Sequence, residues 1–434
     1  MIESLTMAEG AFGVMSRTVS RGLPVIFLYV RLFFFGGVMK ANGVILNYVV
    51  EKLQTTNMLV GWAFTLQCAI AYMLTPVGGY LLNYSSFRQL GIGGGILIGL
   101  GYVASGLLLT RVWQLFLFHS VSGIGFGLLT LPSFIYLQIH FPESFPTLIS
   151  LTSLSIFAGV ATLPPILASL IDHYGDKAAL TLFGALLWNC VLVGVTMKST
   201  AKTETFLSSV AVTKDVPPSH LHDFDRYMLM FASPFRHRKF AMCFLLSGVS
   251  MYVYSSWAIF LVSFGESVGF TPRMAVYLSS AGGIGGIAGS ALAFLQFYFN
   301  RMNAVTGCLL PLVINGLSLL ISVFSTSYGI TLTVTCISGF VQGYHYSALC
   351  GLMTTLLCQY HLRDGISMTF ISEGMCYQFG GLFSGIVKDY FGSTNSVFLL
   401  NAVLSFAAIP FAVIWTLDKR PVHECYPKNQ DSLE

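Results

Sequence analysis

Twelve long apolar windows, divided by short polar breaks, fill most of this 434-residue sequence and leave it few folds to adopt. In lipid every backbone N–H and C=O must be satisfied within the protein, which restricts spanning structures to helices and closed barrels. The windows are continuous rather than alternating, so they predict helices at about 24–50, 58–82, 89–110, 112–139, 147–170, 178–197, 240–263, 274–298, 304–324, 329–358, 367–388 and 395–417. Only 9% of the residues are charged and 55% are hydrophobic, against roughly 25% charged in a soluble domain. That composition excludes a soluble enzyme, a disordered regulator and a nucleic-acid binder, whose basic groove needs more than 22 Lys and Arg. A net charge of +4 defines no partner.

The only long polar stretch, 198–239, carries seven Lys and Arg residues and the breaker Pro217-Pro218. It reads as a linker between an N-terminal six-helix half, 1–197, and a C-terminal half with its tail, 240–434. Counting Lys and Arg by loop places the linker and both termini in the cytoplasm, with Arg17, Arg21, Arg88, Arg301, Arg363, Lys419, Arg420 and Lys428 on that side. No cleavable signal peptide is expected, and the first helix is expected to stay as an anchor. The nine cysteines are scattered singly with no C-x-x-C, as packing residues are, and no metal or other cofactor is expected.

The two halves echo each other. Helix five leaves through Asp172-His173-Tyr174-Gly175 and helix eleven through Asp389-Tyr390-Phe391-Gly392, six helices apart; Arg88 and Arg301 also occupy matching places. Six-plus-six repetition around a linker predicts an all-α polytopic membrane protein of the major facilitator architecture, with solute bound near the midplane between two rocking halves.

The residues further resemble the monocarboxylate transporter family of that superfamily. Gly37-Val38-Met39-Lys40-Ala41-Asn42-Gly43-Val44 is similar to the family's F-P-K-S-x-G-V, and Gly61-Trp62 with Thr75-Pro76 to its marks on helix two. Leu131-Pro132-Ser133 through His140-Phe141 resembles its helix four, Ser233-Pro234 through Lys239-Phe240 its entry to helix seven, and Gly380 to Gly385 its helix eleven. The departures are as informative. The acidic and tryptophan-rich motif before helix one is absent, and the basic cluster after helix four is replaced by Pro142-Glu143-Ser144-Phe145-Pro146. The Asp and Arg of the proton-linked members align with Gly285 and Gly289. A glycine cannot clamp a carboxylate bidentately as an arginine does. The resemblance thus implies a divergent member that moves a monocarboxylate or related amphipathic metabolite without the usual coupling pair. It also implies a possible single-span immunoglobulin-type glycoprotein as partner and a place in the plasma membrane.

Several residues are candidates for the pathway. Lys40 is expected near mid-membrane, where an ionisable side chain is a functional hypothesis by default, with a buried packing pair as the plainer reading. Arg31 lies on the opposite face, expected to snorkel to the cytoplasmic headgroups. Gln342, His345 and Tyr346 form one polar face at i, i+3 and i+4, aimed either at solute or at a neighbouring helix. Tyr252 and Ser256 share an i, i+4 face that could line the cavity. His345 and Glu373 are the only groups expected to replace the missing coupling pair; for Glu373, snorkelling or a bond to Gln378 or a serine is the plainer reading. Gly282, Gly283, Gly285, Gly286 and Gly289 on helix eight predict close helix packing ahead of a backbone-lined solute surface.

The expected function is secondary transport of a small organic solute by alternating access, with coupling to protons absent. The alternative is a non-transporting sensor or scaffold descended from a transporter. A membrane enzyme would need a cluster of His, Asp or Cys near one interface, which the sequence does not supply.

Overall fold

The computed structural model describes residues 2–82, 84–141, 145–197, 238–299, 301–303, 305–356 and 359–417, all but a few turns of it helical. The expected linker, apart from its last two residues, lies outside the described residues, as does the Pro142-Glu143-Ser144 departure. Among the described residues the helices fall into twelve segments, and by length and composition eight helices, or nine counting one bent pair as a single span, suffice to cross a membrane. The segments are α1 (Ile2–Ala41), α2 (Asn57–Met73, continued by Thr75–Leu81), α3 (Phe87–Leu108), α4 (Val112–His140), α5 and α6 within Phe145–Leu187, α7 (Arg238–Ser267), α8 (Pro272–Tyr298), α9 (Leu310–Phe324), α10 (Tyr328–Leu356), α11 (Gln359–Phe391) and α12 (Thr394–Ala407, continued by Ile409–Leu417). A 3-10 turn, Trp188–Cys190, and Val191–Thr196 extend α6.

Local chemistry sets the breaks. Gly175 separates α5 from α6 at φ 71°, and Gly392 ends α11 at φ 65°, so the two matching exits seen in the sequence both turn on a left-handed glycine. Pro76 follows a 42° bend in α2, as expected where a proline has no N–H to donate to the preceding turn. Thr56 and Thr271 cap α2 and α8, accepting from Leu59 and Met274.

The first helix corrects an expectation. It ends at Ala41 rather than near residue 50, and a separate short helix, Leu46–Lys52, follows. The reason is tertiary. Asn42 turns its amide into a buried cluster with Gln67 and Tyr102, and a Cβ at Gly43 would lie 2.7 Å from the Ala258 carbonyl on α7. Lys40 therefore sits in the last turn of α1 and not in mid-helix.

Helix packing across the halves depends on small residues. A Cβ at Gly283 would meet the Ala161 backbone of α5 at 2.4 Å, and one at Gly385 the Met58 backbone of α2 at 2.5 Å. Within the C-terminal half, α8 and α10 approach through glycine on both sides. Cβ atoms at Gly285 and Gly289 would fall 2.0 and 1.9 Å from the carbonyls of Cys336 and Phe340, and one at Gly339 would fall 1.9 Å from the carbonyl of Gly282. The glycine run of helix eight is a packing surface.

Contacts between the halves occur at both ends of the bundle. At the end bearing Gly175 and Gly392, Asp389 accepts from the backbone of Asn57 and Met58, Asp172 pairs with Arg273 at 3.2 Å, and Asn47 donates to Glu266 at 2.5 Å. Toward the linker end, Phe370 of α11 packs on Tyr72 of α2 and Phe134 of α4, and the Ser153 and Ser347 hydroxyls join α5 to α10.

Candidate functional site

Between the halves lies a cavity of about 50 Å³, lined from the N-terminal half by Met39, Tyr72, Ile156 and Phe157 and from the C-terminal half by residues of α7, α9, α10 and α12. In this conformation it has room for a few waters and not for an organic solute. Its wall is mostly apolar, with polar atoms concentrated on α7 and α10.

The face read on α10 is there. Gln342, His345 and Tyr346 all line the cavity. His345 is 5% exposed, and its Nδ1 lies 3.0 Å from the Gly307 carbonyl. That carbonyl belongs to Val305–Leu309, a π-helical turn ahead of α9, a local irregularity often found at functional sites. Because a carbonyl only accepts, Nδ1 carries the hydrogen, and in the neutral ring Nε2 is left as an acceptor. Nε2 has no partner.

Gln342 is oriented from behind. Its amide nitrogen donates to Ser338 at 3.4 Å, Ser338 donates to Asn315 at 2.9 Å, and Asn315 donates to Ser405 at 3.4 Å. The Gln342 Oε1 is left buried without a partner. Tyr346 faces Tyr72 of the other half.

On α7 the sequence reading had the wrong phase. The lining residues are Ser247, Val249, Ser250, Met251, Val253 and Tyr254, whose polar members fall at i, i+3 and i+7 along one helical face. Tyr252 and Ser256 lie off that face. Ser256 instead accepts from Ser384 at 2.6 Å and from Asn401 at 2.7 Å, inside the C-terminal half. Ser250 and Tyr254 escaped the sequence reading because polar residues occur on both faces of this helix. Only the neighbours of α7 decide which face meets the cavity. Both hydroxyls are buried without a partner.

Lys40 and Glu373 are near the cavity but not on its wall. Lys40 is fully buried, donates to the Trp257 carbonyl at 3.0 Å and lies 3.2 Å from the centroid of the same residue's ring, a cation–π contact. Its neighbour Met39 is the wall residue. Glu373 accepts from Ser247 of α7 at 2.5 Å, and its second oxygen has no partner. The serine bond is thus real, but it comes from another helix. Snorkelling is excluded, since Glu373 is 3% exposed. Arg31 also corrects an expectation. It is 1% exposed and donates to Thr130 of α4 at 2.9 Å instead of reaching the headgroups. Among the described residues no group of three or more His, Cys, Asp or Glu is placed to hold a metal.

Residues 28–372 match the sequence pattern of the Major Facilitator Superfamily. Among curated relatives, monocarboxylate transporter 1 of Mus musculus is 21% identical over 384 residues, covering 81% of this chain and 76% of that protein. Monocarboxylate transporter 4 of Gallus gallus is 20% identical, covering 92% and 84%. The match to monocarboxylate transporter 4 of Mus musculus, at 23% identity, covers 62% of this chain and spans little more than half of that relative, 56%. Among solved structures, a bacterial homolog of the human lysosomal transporter Spinster, inward-facing and unoccupied, superposes with a TM-score of 0.69 at 13% identity. The superposition covers 92% of this chain and 97% of that one, a likeness of fold.

Proposed function

The chain belongs to the Major Facilitator Superfamily, and from that premise we propose that it carries a small organic solute through the cavity between its halves by alternating access. It is an integral membrane transporter and not an enzyme. The observation that carries the reading is the cavity itself: both halves contribute wall residues, and contacts that must break and re-form for alternating access lie at each end. The named relatives make monocarboxylates and related amphipathic metabolites the first class to consider. The family's helix-eight pair is missing, and Gly285 and Gly289 lie too close to α10 to be replaced by it. Both termini and the linker are assigned to the cytoplasm on the Lys and Arg bias, the membrane to the plasma membrane and the partner to a single-span glycoprotein by resemblance alone.

The test is untargeted uptake into vesicles holding the purified protein, with protein-free vesicles as blank. Saturable uptake of any metabolite, blocked when a crosslink joins α2 to α11 near Met58 and Asp389, supports the carrier. Surface expression without flux of any solute would favour the sensor or scaffold.

A further inference from the structure

We infer that the cavity is built for a solute that is uncharged at neutral pH, carries at least two N–H or O–H donors, and has an apolar body; this rests on the carrier reading and selects among the solutes it allows.

The chemistry of the wall carries the argument. Four polar atoms on it are buried without a partner: Ser250 Oγ, Tyr254 Oη, Gln342 Oε1 and His345 Nε2. In this conformation only the few waters that the cavity admits could complete them, and a solute that displaces those waters must replace their hydrogen bonds. Two of the four are acceptors only. Gln342 is fixed with its carbonyl inward by the Ser338 and Asn315 chain, and His345 is fixed with its lone pair inward by the Gly307 carbonyl. The two hydroxyls can donate or accept. A carboxylate could accept from the two hydroxyls, but against Gln342 Oε1 and His345 Nε2 it would set oxygen against oxygen and nitrogen lone pairs.

The cations nearby do not alter this. Lys40 is held by the carbonyl and ring of Trp257, and Arg31 by Thr130. Neither lines the cavity, and the Arg31 Nε is buried without a partner. An organic cation finds no carboxylate among the lining residues to offset its lost hydration; Glu373, which is not a lining residue, accepts from Ser247 with one oxygen and keeps the other buried without a partner. What remains is a neutral solute with donors, and the rings of Tyr72, Phe157, Tyr254 and Tyr346 suit an apolar body.

Four probes sharing one benzyl body test this with the purified, full-length protein at pH 7.5: phenylacetamide, phenylacetate, methyl phenylacetate and phenethylammonium. Binding is measured by calorimetry in nanodiscs, and flux in proteoliposomes against protein-free vesicles. Phenylacetamide is expected to bind at least about tenfold more tightly than the other three. Gln342→Leu and His345→Phe are expected to erase that preference by weakening the amide about tenfold toward the ester, with each variant still monodisperse in size-exclusion chromatography. Equal or tighter binding of the anion, the cation or the ester overturns the proposal, as does the absence of binding by the amide. An amide that binds and is not moved would leave the site chemistry standing and overturn the carrier reading. An anion that is moved as fast as the amide would do the reverse.

Discussion

The Asp389 carboxylate on α11 accepts the backbone N–H of Met58 at 2.8 Å across the boundary between the halves. It also takes the backbone and side-chain N–H groups of Asn57, at 3.2 and 2.8 Å. A residue of one half therefore serves the N-terminus of α2 in the other, where partial positive charge and unsatisfied donors favour an anion. Its counterpart at the matching exit, Asp172, meets Arg273 in the first turn of α8. The internal repeat thus becomes a pair of latches on one face of the molecule.

The latches are unequal. Arg273 and Asp172 are 79% and 47% exposed, so their pair contributes about 0–1 kcal/mol, whereas the helix N-terminus with its three donors holds Asp389 by about 1–2 kcal/mol. Asp389→Ala should raise maleimide labelling of a cysteine placed at Asn47 by about fivefold or more, and Arg273→Ala by less than about threefold. The opposite ranking would show that α5 and α8, and not α2 and α11, hold this end shut.

Restoring the missing charge pair should fail. Because a Cβ at Gly289 would lie 1.9 Å from the Phe340 carbonyl, Gly289→Arg should abolish a monodisperse peak in size-exclusion chromatography. Gly285→Ala should destabilise by about 1–3 kcal/mol through forced separation of α8 from α10. A well-folded Gly285→Asp, Gly289→Arg double variant would mean that the two helices pack differently.

Lys40 is a buried amine with no carboxylate partner among the described residues, an arrangement less stable than an apolar side chain of the same length. Lys40→Met is expected to raise thermal stability and to reduce transport strongly, and Lys40→Arg to reduce transport too, since a planar fork does not fit where a compact ammonium sits over the indole. Trp257→Leu should mimic the loss. If Lys40→Met transports normally, the lysine has a packing role only.

Net flux is expected to follow the solute gradient, with an imposed pH gradient changing the initial rate by less than about twofold, because no titrating pair remains on α8, Glu373 accepts from Ser247 and His345 is tied to the Gly307 carbonyl. Concentrative uptake driven by inward protons and lost on Glu373→Gln would show that coupling had moved to α11.

An epitope inserted beside Pro217 should be invisible to antibody on intact cells and visible after permeabilisation, as the positive-inside bias requires. Staining of intact cells would invert the topology.

The sequence by itself determined that the chain is helical and that its two exits match, because both follow from hydropathy and local backbone chemistry: an apolar run must be helical in lipid, and a glycine after Asp-x-aromatic can turn left-handed. It also held the α10 face, since Gln342, His345 and Tyr346 fall at i, i+3 and i+4. Only the tertiary structure decided which way α7 faces, putting Ser250 and Tyr254 on the cavity in place of Tyr252 and Ser256. It likewise turned Arg31 inward to Thr130, set Lys40 against Trp257, and ended α1 at Ala41. A helix polar on more than one face carries no record of which face has which neighbour. That choice is made by groups distant in sequence, such as the Gly307 carbonyl that fixes His345 from 38 residues away.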